Sequence, residues 1–149
     1  MKAPSNLEAQ ANSEIYRLEE QVGFILRRAS QRHKGIFADL ITGGLTVTQF
    51  AVLAKLDELK SCTQNLLGRH TALDAATIKG VVDRLTSRGL THTWPDPTDA
   101  RRFLVGLTPE GEQLIEEAIP RAAQITSRTL EPLGPDEQAI FLRLLKTLC

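Results

Sequence analysis

The sequence predicts a mainly α-helical protein with one small β-hairpin. Three observations lead to this class. Apolar residues recur at helical spacing in six segments of the chain. Residues 90–107 instead alternate, with β-branched and aromatic side chains on both sides of a turn rich in Pro and Asp. Hydroxyl or carboxylate capping residues stand at the predicted starts of several helices. The predicted order is four helices, the hairpin and two further helices.

The first predicted helix covers residues 13–41 and follows a polar segment, residues 1–12, that we expect to be frayed. Gly43 and Gly44 end this helix. It has roughly eight turns, more than one small core needs, so part of it is expected to pack on another subunit. Its apolar stripe consists of Ile15, Leu18, Val22, Leu26, Ala29, Ile36, Phe37 and Leu40.

Thr46 and Gln49 form a predicted capping box, a hydroxyl residue followed three positions later by Gln. The second helix therefore begins here and extends to about residue 59, with Phe50, Leu53 and Leu56 on one face. A loop containing Cys62 leads to a short third helix over about 63–69, with Leu66 and Leu67 turned inward.

The fourth helix is predicted to begin after Asp74, an N-cap whose carboxylate also suits the positive end of a helix. Gly89 is its expected left-handed stop. Its buried side carries Ile78, Val81, Val82 and Leu85. Its outer face carries small, hydroxyl-bearing and charged residues: Ala75, Ala76, Thr77, Lys79, Gly80, Asp83 and Arg84. A short helix with this face, followed by a charged hairpin, suits a surface that reads DNA.

The hairpin has predicted strands at residues 90–94 and 102–107, joined by a turn at 95–100. Thr108 and Pro109 then open a helix that extends to about residue 130 and that Pro120 should kink. Residues 134–135, Gly-Pro, open the last amphipathic helix, whose inward residues are predicted to be Phe141, Leu144, Leu145 and Leu148.

Composition limits the possible functions. The 149 residues suffice for one domain with a core, and neither a signal peptide nor a membrane span is expected. Two cysteines, Cys62 and Cys149, favour the cytoplasm. His33, His70 and His92 lie in separate predicted elements and no catalytic or metal motif is present, so we expect no enzyme, cofactor or metal. The net charge of +0 argues mildly against DNA binding unless the charges are segregated.

Three segments together resemble a known family: LTVTQFAVL, TALDAATIKGVVDRLTSRGL and DPTDARRFLVGLTPEG, in this order. They resemble the MarR family of winged helix-turn-helix regulators, over about residues 13–148. The resemblance implies a DNA-binding lobe at 46–107, flanked by dimerisation helices at 13–41 and 109–148. It also implies a homodimer that represses nearby genes from double-stranded, pseudo-palindromic operator DNA and leaves it when a small aromatic acid binds.

The resemblance assigns DNA contacts to the fourth helix and the hairpin tip. Methyl groups of Ala75, Ala76 and Thr77 can touch thymine, Arg84 suits guanine or phosphate, and Lys79 suits phosphate. The family often has a basic residue at the position of Gly80, where glycine could let the backbone approach DNA.

At the hairpin tip, Arg101 is predicted to enter the minor groove, with Asp99 holding it and Arg102 adding a phosphate contact. The simpler alternative at both places is a solvated helix face and an ordinary surface ion pair.

For the ligand, His33 on the apolar stripe is either a satisfied core histidine or a pocket residue. On the opposite face Arg17, Gln21, Phe24 and Arg28 follow at spacings of four, three and four. They could hold an aromatic carboxylate, or form a dimer surface. Phe50 and Trp94 are weaker candidates for a pocket wall.

The segment LRRASQRHKGIF is similar to MarR members that control aromatic-acid catabolism, including that of 6-hydroxynicotinate. A heteroaromatic acid is therefore the predicted effector. The rival hypotheses are a cysteine-based redox regulator using Cys62, and a helical interaction module that never touches DNA.

Overall fold

The computed structural model describes residues 15–149, and contains six α-helices and three β-strands within that range. The helices are α1 (Val22–Leu40), α2 (Val47–Leu59), α3 (Gln64–Thr71), α4 (Ala75–Ser87), α5 (Pro109–Leu130) and α6 (Pro135–Thr147). The strands are β1 (Ser61–Thr63), β2 (Thr91–Asp96) and β3 (Asp99–Leu107). The predicted fold class, mainly α with a small β-wing, is confirmed. The chain divides into two compact units between Arg32 and His33, within α1.

In the first unit the helix starts later than predicted. A short 3-10 helix at Leu18–Glu20 and an extended Gln21 precede α1. The prediction of a helix from residue 13 is therefore wrong between Ile15 and Gln21. Residues 1–14, including the segment predicted to fray, lie outside the described range. Amphipathic helices gain most of their stability by burying the apolar face, whereas Ile15 and Leu18 are 81% and 45% exposed.

The core of the second unit is built around α2. Val52, Leu53 and Leu56 are completely buried, because their spacing places them on one side of the helix. Removing such a leucine side chain typically costs about 2–5 kcal/mol. Side chains from α3, α4, β3 and the first half of α5 complete the same core: Leu67, Ile78, Val81, Val82, Leu85, Val105, Ile115 and Ala118.

The predicted helix caps are confirmed. Thr46 and Gln49 form the predicted capping box of α2, since Thr46 Oγ1 accepts from the Gln49 N–H and Gln49 Oε1 accepts from the Thr46 N–H. Asp74 caps α4 through its side-chain oxygen, as predicted. Thr63, which was predicted to lie within the third helix, is instead the cap of α3. Leu67 faces inward as predicted, but Leu66 is exposed at the surface of α3.

The sheet has a strand that the sequence did not reveal. β1, which includes Cys62, pairs antiparallel with residues 104–106 of β3, and β2 pairs with the other edge of β3, giving the order β1-β3-β2. Cys62 is therefore in a strand rather than a loop. The hairpin is also longer than predicted, because β2 continues to Asp96 and β3 begins at Asp99.

The start of α5 is fastened to the end of α4. Thr108 Oγ1 donates to the Gly89 carbonyl at 2.6 Å and accepts from the Gly111 N–H at 3.1 Å, and the Thr108 N–H donates to the Leu90 carbonyl. A Cβ at Gly111 would lie only 2.0 Å from the Leu90 oxygen, so only glycine allows this approach. The RGL and LTPEG segments are thus in direct contact and hold the start of α5 against the end of α4.

The helix α5 continues through Pro120 without a break. On α6 the prediction of inward side chains is wrong for three of four residues. Phe141, Leu144 and Leu148 are exposed, and Leu145 is half-buried. Their spacing makes an apolar face, which the sequence identifies, but the spacing does not determine what covers that face.

Candidate nucleic-acid interface and ligand site

The outer face of α4 is exposed to solvent, because the opposite face of the helix packs into the core. Ala75, Ala76, Thr77, Lys79 and Arg84 are exposed, while Gly80 is half-buried. Asp74 Oδ1 accepts from the Thr77 N–H at 2.7 Å and so fixes the first turn. The hydrogen bonds from Thr77 hold the pKa of Asp74 below its usual value. The exposed first turn therefore combines small apolar groups and one hydroxyl with a charged cap.

Two basic residues of this face have defined neighbours. Lys79 Nζ lies 2.7 Å from Asp83 Oδ2, an exposed pair one helical turn apart, and such pairs contribute about 0.3–0.5 kcal/mol. A phosphate could therefore replace this partner at little cost. The Arg84 guanidinium lies along the helix beside Gly80, since a Cβ at Gly80 would be 3.5 Å from Arg84 Nη2. The missing side chain at Gly80 leaves room for this guanidinium.

The turn between β2 and β3, here called the wing tip, carries one strongly exposed arginine. The Arg101 side chain is 96% exposed, and its Nε lies 3.9 Å from Asp99 Oδ1. The same carboxylate oxygen accepts from the Arg101 N–H at 3.0 Å. Asp99 therefore holds the backbone of Arg101, while the long side chain projects into solvent.

The turn beside this arginine is held by a second carboxylate. Asp96 Oδ1 accepts from the N–H and the hydroxyl of Thr98. These hydrogen bonds, and the nearby charge of Arg102, keep the pKa of Asp96 below its usual value. The tip is thus a preorganised turn with two arginines on its outgoing strand.

Within the second unit, His33 has both a polar and an aromatic neighbour. His33 Nδ1 and Thr129 Oγ1 of α5 share a hydrogen bond of 2.9 Å. The His33 ring lies 6.4 Å from that of Phe37, which meets Phe50 edge-on at 5.9 Å. Two of the predicted ligand residues, His33 and Phe50, are thus connected through Phe37. No sequence pattern pointed to Thr129, which is 96 positions away from His33.

A cleft of about 410 Å³ lies beside Phe37. Its walls are Lys34, Phe37 and Ala38 of α1 and residues 45–48 at the start of α2. The wall provides an ammonium group, an aromatic ring and the side chains of two threonines. A cleft of this size, lined by both apolar and polar side chains, is common for sites that hold small organic molecules.

In the first unit, the predicted row of Arg17, Gln21, Phe24 and Arg28 does not lie on one helix. Arg17 precedes the 3-10 helix and its Nε is 4.0 Å from Glu20 Oε1. Phe24 has the Arg27 and Arg28 guanidinium carbons at 5.5 and 6.0 Å from its ring centre. The guanidinium-flanked ring is therefore present on α1, with Arg27 in place of Arg17.

Two further candidate residues belong to the sheet. The Trp94 ring stacks on His92 at 4.7 Å and covers Gly106, where a Cβ would lie 2.7 Å from the ring. Cys62 is buried, and burial raises the pKa of its thiol. A buried thiol with little thiolate reacts poorly with peroxide, so the structure does not favour the redox hypothesis for Cys62.

The α3–α4 pair, followed by the β2–β3 hairpin with an arginine at its tip, defines a winged helix-turn-helix protein. The sequence model of the MarR family matches residues 45–103. Across 134 residues, 89% of this chain and 85% of the relative, the chain is 40% identical to the HTH-type transcriptional repressor NicR of Pseudomonas putida. The chain belongs to the MarR family.

Two solved structures have the same fold over most of their length. Bordetella bronchiseptica BpsR, whose DNA binding is regulated by 6-hydroxynicotinic acid, is 43% identical with a TM-score of 0.84, covering 89% of this chain and 96% of BpsR. A cysteine-to-serine mutant of Escherichia coli MarR in complex with operator DNA is 25% identical with a TM-score of 0.81, covering 91% and 99%. In the described range, no helix combines the length and apolar character needed to cross a membrane.

Proposed function

We propose that this MarR-type repressor binds double-stranded, pseudo-palindromic operator DNA as a homodimer and releases it when a hydroxylated pyridine carboxylate binds. The observation that carries the proposal is the similarity, over 89% of the chain, to both NicR and BpsR. BpsR is the relative whose DNA binding responds to 6-hydroxynicotinic acid. The proposed lobes are residues 46–107 for DNA, and 13–41 with 109–148 for dimerisation.

For DNA binding, α4 occupies the major groove and the wing tip the minor groove. Ala75, Ala76 and Thr77 offer methyl groups to thymine, and Arg84 and Lys79 reach guanine or phosphate. Arg101 is the principal wing contact because its side chain is 96% exposed on a turn fixed by Asp99. Arg102, also exposed, adds a phosphate contact.

For the ligand, the proposed site is the aromatic group around His33. The imidazole and Thr129 hydroxyl offer hydrogen bonds to a ring substituent, and Phe37 and Phe50 offer ring contacts. The adjoining cleft provides Lys34 for the carboxylate. Independently of this site, the flanked ring of Phe24 with Arg27 and Arg28 is a second place where an aromatic acid could stack.

The test begins with duplexes selected by the protein from a randomised pool, and follows their binding by fluorescence anisotropy at several salt concentrations. Arg101→Ala should reduce the slope of log K against log salt concentration by about one for each wing. Arg121→Ala, at an exposed arginine of α5, should not change it. If no duplex is enriched, the DNA-binding function is wrong.

The ligand is tested on the same duplex with 6-hydroxynicotinate, nicotinate and 4-hydroxybenzoate, which separate the roles of the hydroxyl and the ring nitrogen. We expect 6-hydroxynicotinate to weaken operator binding at least tenfold, and His33→Phe to reduce this effect more than Cys62→Ser. If none of the three acids changes binding, this ligand class is wrong. Release by peroxide that Cys62→Ser abolishes would favour redox control instead.

A further inference from the structure

Arg88 belongs by sequence to the segment that reads DNA, yet its side chain points elsewhere. It is the residue after the last turn of α4, where Gly89 takes the left-handed conformation. Its Nη2 donates a short hydrogen bond to the Gly43 carbonyl, and its Nη1 lies 3.5 Å from Gln49 Oε1. One guanidinium thus reaches two acceptors that are 45 and 39 positions away along the chain.

Both acceptors are fixed in place by the junction between α1 and α2. Gln49 is buried, and its Oε1 also accepts from the Thr46 N–H as part of the capping box. Gly43 has a φ of +71°, and a Cβ there would lie 2.6 Å from Leu114 of α5. The junction is therefore a rigid anchor, because left-handed glycine, cap and helix contact all hold it.

We propose that Arg88 is a positioning residue for DNA recognition, which holds the end of α4 at a fixed angle to the α1–α2 junction. This inference rests on the proposed DNA function and extends it to a residue that touches no DNA. The opposite end of α4 is fixed by the Asp74 cap and its middle by Ile78, Val82 and Leu85. At the C-terminal end, Arg88 adds a polar connection to the α1–α2 junction, beside the hydrogen bond from Thr108 to the Gly89 carbonyl.

The geometry explains why arginine is needed here. A planar guanidinium can donate to two acceptors in different directions, whereas lysine presents one compact ammonium group. Arg88→Lys therefore keeps the charge but loses one of the two contacts. A phosphate contact would largely survive this change, while a positioning role would not.

The test measures binding to the selected duplex and to a scrambled duplex, for Arg88→Lys, Arg88→Ala, Gln49→Ala and the Arg88–Gln49 double variant. We expect Arg88→Lys to weaken specific binding about tenfold with little change for the scrambled duplex. The salt dependence should stay as in the wild type. The loss in the double variant should be smaller than the sum of the two single losses, because the Arg88–Gln49 contact is broken in both single variants. Arg121→Lys, the same exchange at an exposed arginine of α5, is the control.

Three results would overturn the inference. Equal losses on both duplexes with a flatter salt dependence would make Arg88 a phosphate contact. Additive losses in the double variant would show that Gln49 is not its partner. A lower melting temperature with unchanged binding of the folded protein would reduce Arg88 to a stability role. Failure to bind any duplex in the wild type would instead contradict the proposed function itself.

Discussion

At the scale of single residues, Gly80 lowers the stability of α4, whereas we propose that it favours DNA binding. It lies within α4, on the proposed DNA face, with the Arg84 guanidinium beside it. A glycine inside a helix costs roughly 0.5–1 kcal/mol relative to alanine. Keeping it makes sense if a side chain there would hinder Arg84 or the approach of DNA.

We expect Gly80→Ala to raise the melting temperature by roughly 2–4 °C, and at the same time to weaken operator binding. The added Cβ lies in ordinary contact with Arg84 Nη2, at 3.5 Å, so the fold accepts it. Thermal denaturation and anisotropy measure the two effects. Gly35→Ala is the matched control, because Gly35 is an exposed glycine within α1 with open space around its Cβ position. If both variants bind the operator equally well, Gly80 has no role in recognition.

At the scale of elements, the sequence predicted what local chemistry decides. The helices α2, α4 and α5 were located because Thr46, Asp74 and Thr108 are caps that act within three residues. The strand β1 was missed because its three residues become a strand only by pairing with residues 104–106. For the same reason the contacts of His33 with Thr129 and of Arg88 with Gly43 could not be predicted.

The cap of α4 also predicts a pH dependence. The pKa of Asp74 is lower in the folded protein than its ordinary value of 3.8, through its hydrogen bonds with Thr77. The ionised carboxylate therefore stabilises the fold above that value, and the contribution disappears as the pH falls through the folded-state pKa. Asp74→Asn keeps the cap without the charge.

We therefore expect wild type and Asp74→Asn to have similar melting temperatures at pH 7. Between about pH 5 and about pH 3 the wild type should lose more stability than the variant. Circular dichroism melts across this range measure the difference. Asp96, whose pKa is lowered in the same direction by Thr98, keeps some acid sensitivity in both proteins. Parallel curves for the two proteins would show that the Asp74 charge does not stabilise the fold.

At the scale of the whole molecule, the proposed DNA contacts and a group of exposed apolar side chains belong to different elements. With 18 basic and 18 acidic residues the net charge is +0, so the proposed DNA binding would depend on the location of arginines such as Arg84 and Arg101. The exposed apolar side chains are Ile140, Phe141, Leu142 and Leu144 of α6, and Leu148, the residue that follows its last turn. All of these except Leu142 share one side of the helix because they follow at helical spacing. An exposed apolar face of this kind commonly marks a subunit interface, which supports the proposed homodimer.

The proposed dimer makes operator binding depend on α6, although no residue of this helix is proposed to touch DNA. Leu144, 52% exposed, should be buried in the dimer, and an arginine there would place an unpaired charge in an apolar interface. We expect Leu144→Arg to sediment as a monomer and to lose most operator affinity, since each protomer then reaches only one half-site. Leu144→Met, which keeps the apolar volume, should remain dimeric and bind normally. A monomeric Leu144→Arg that still binds the full operator as tightly as the wild type would show that pairing of the two lobes contributes nothing to recognition.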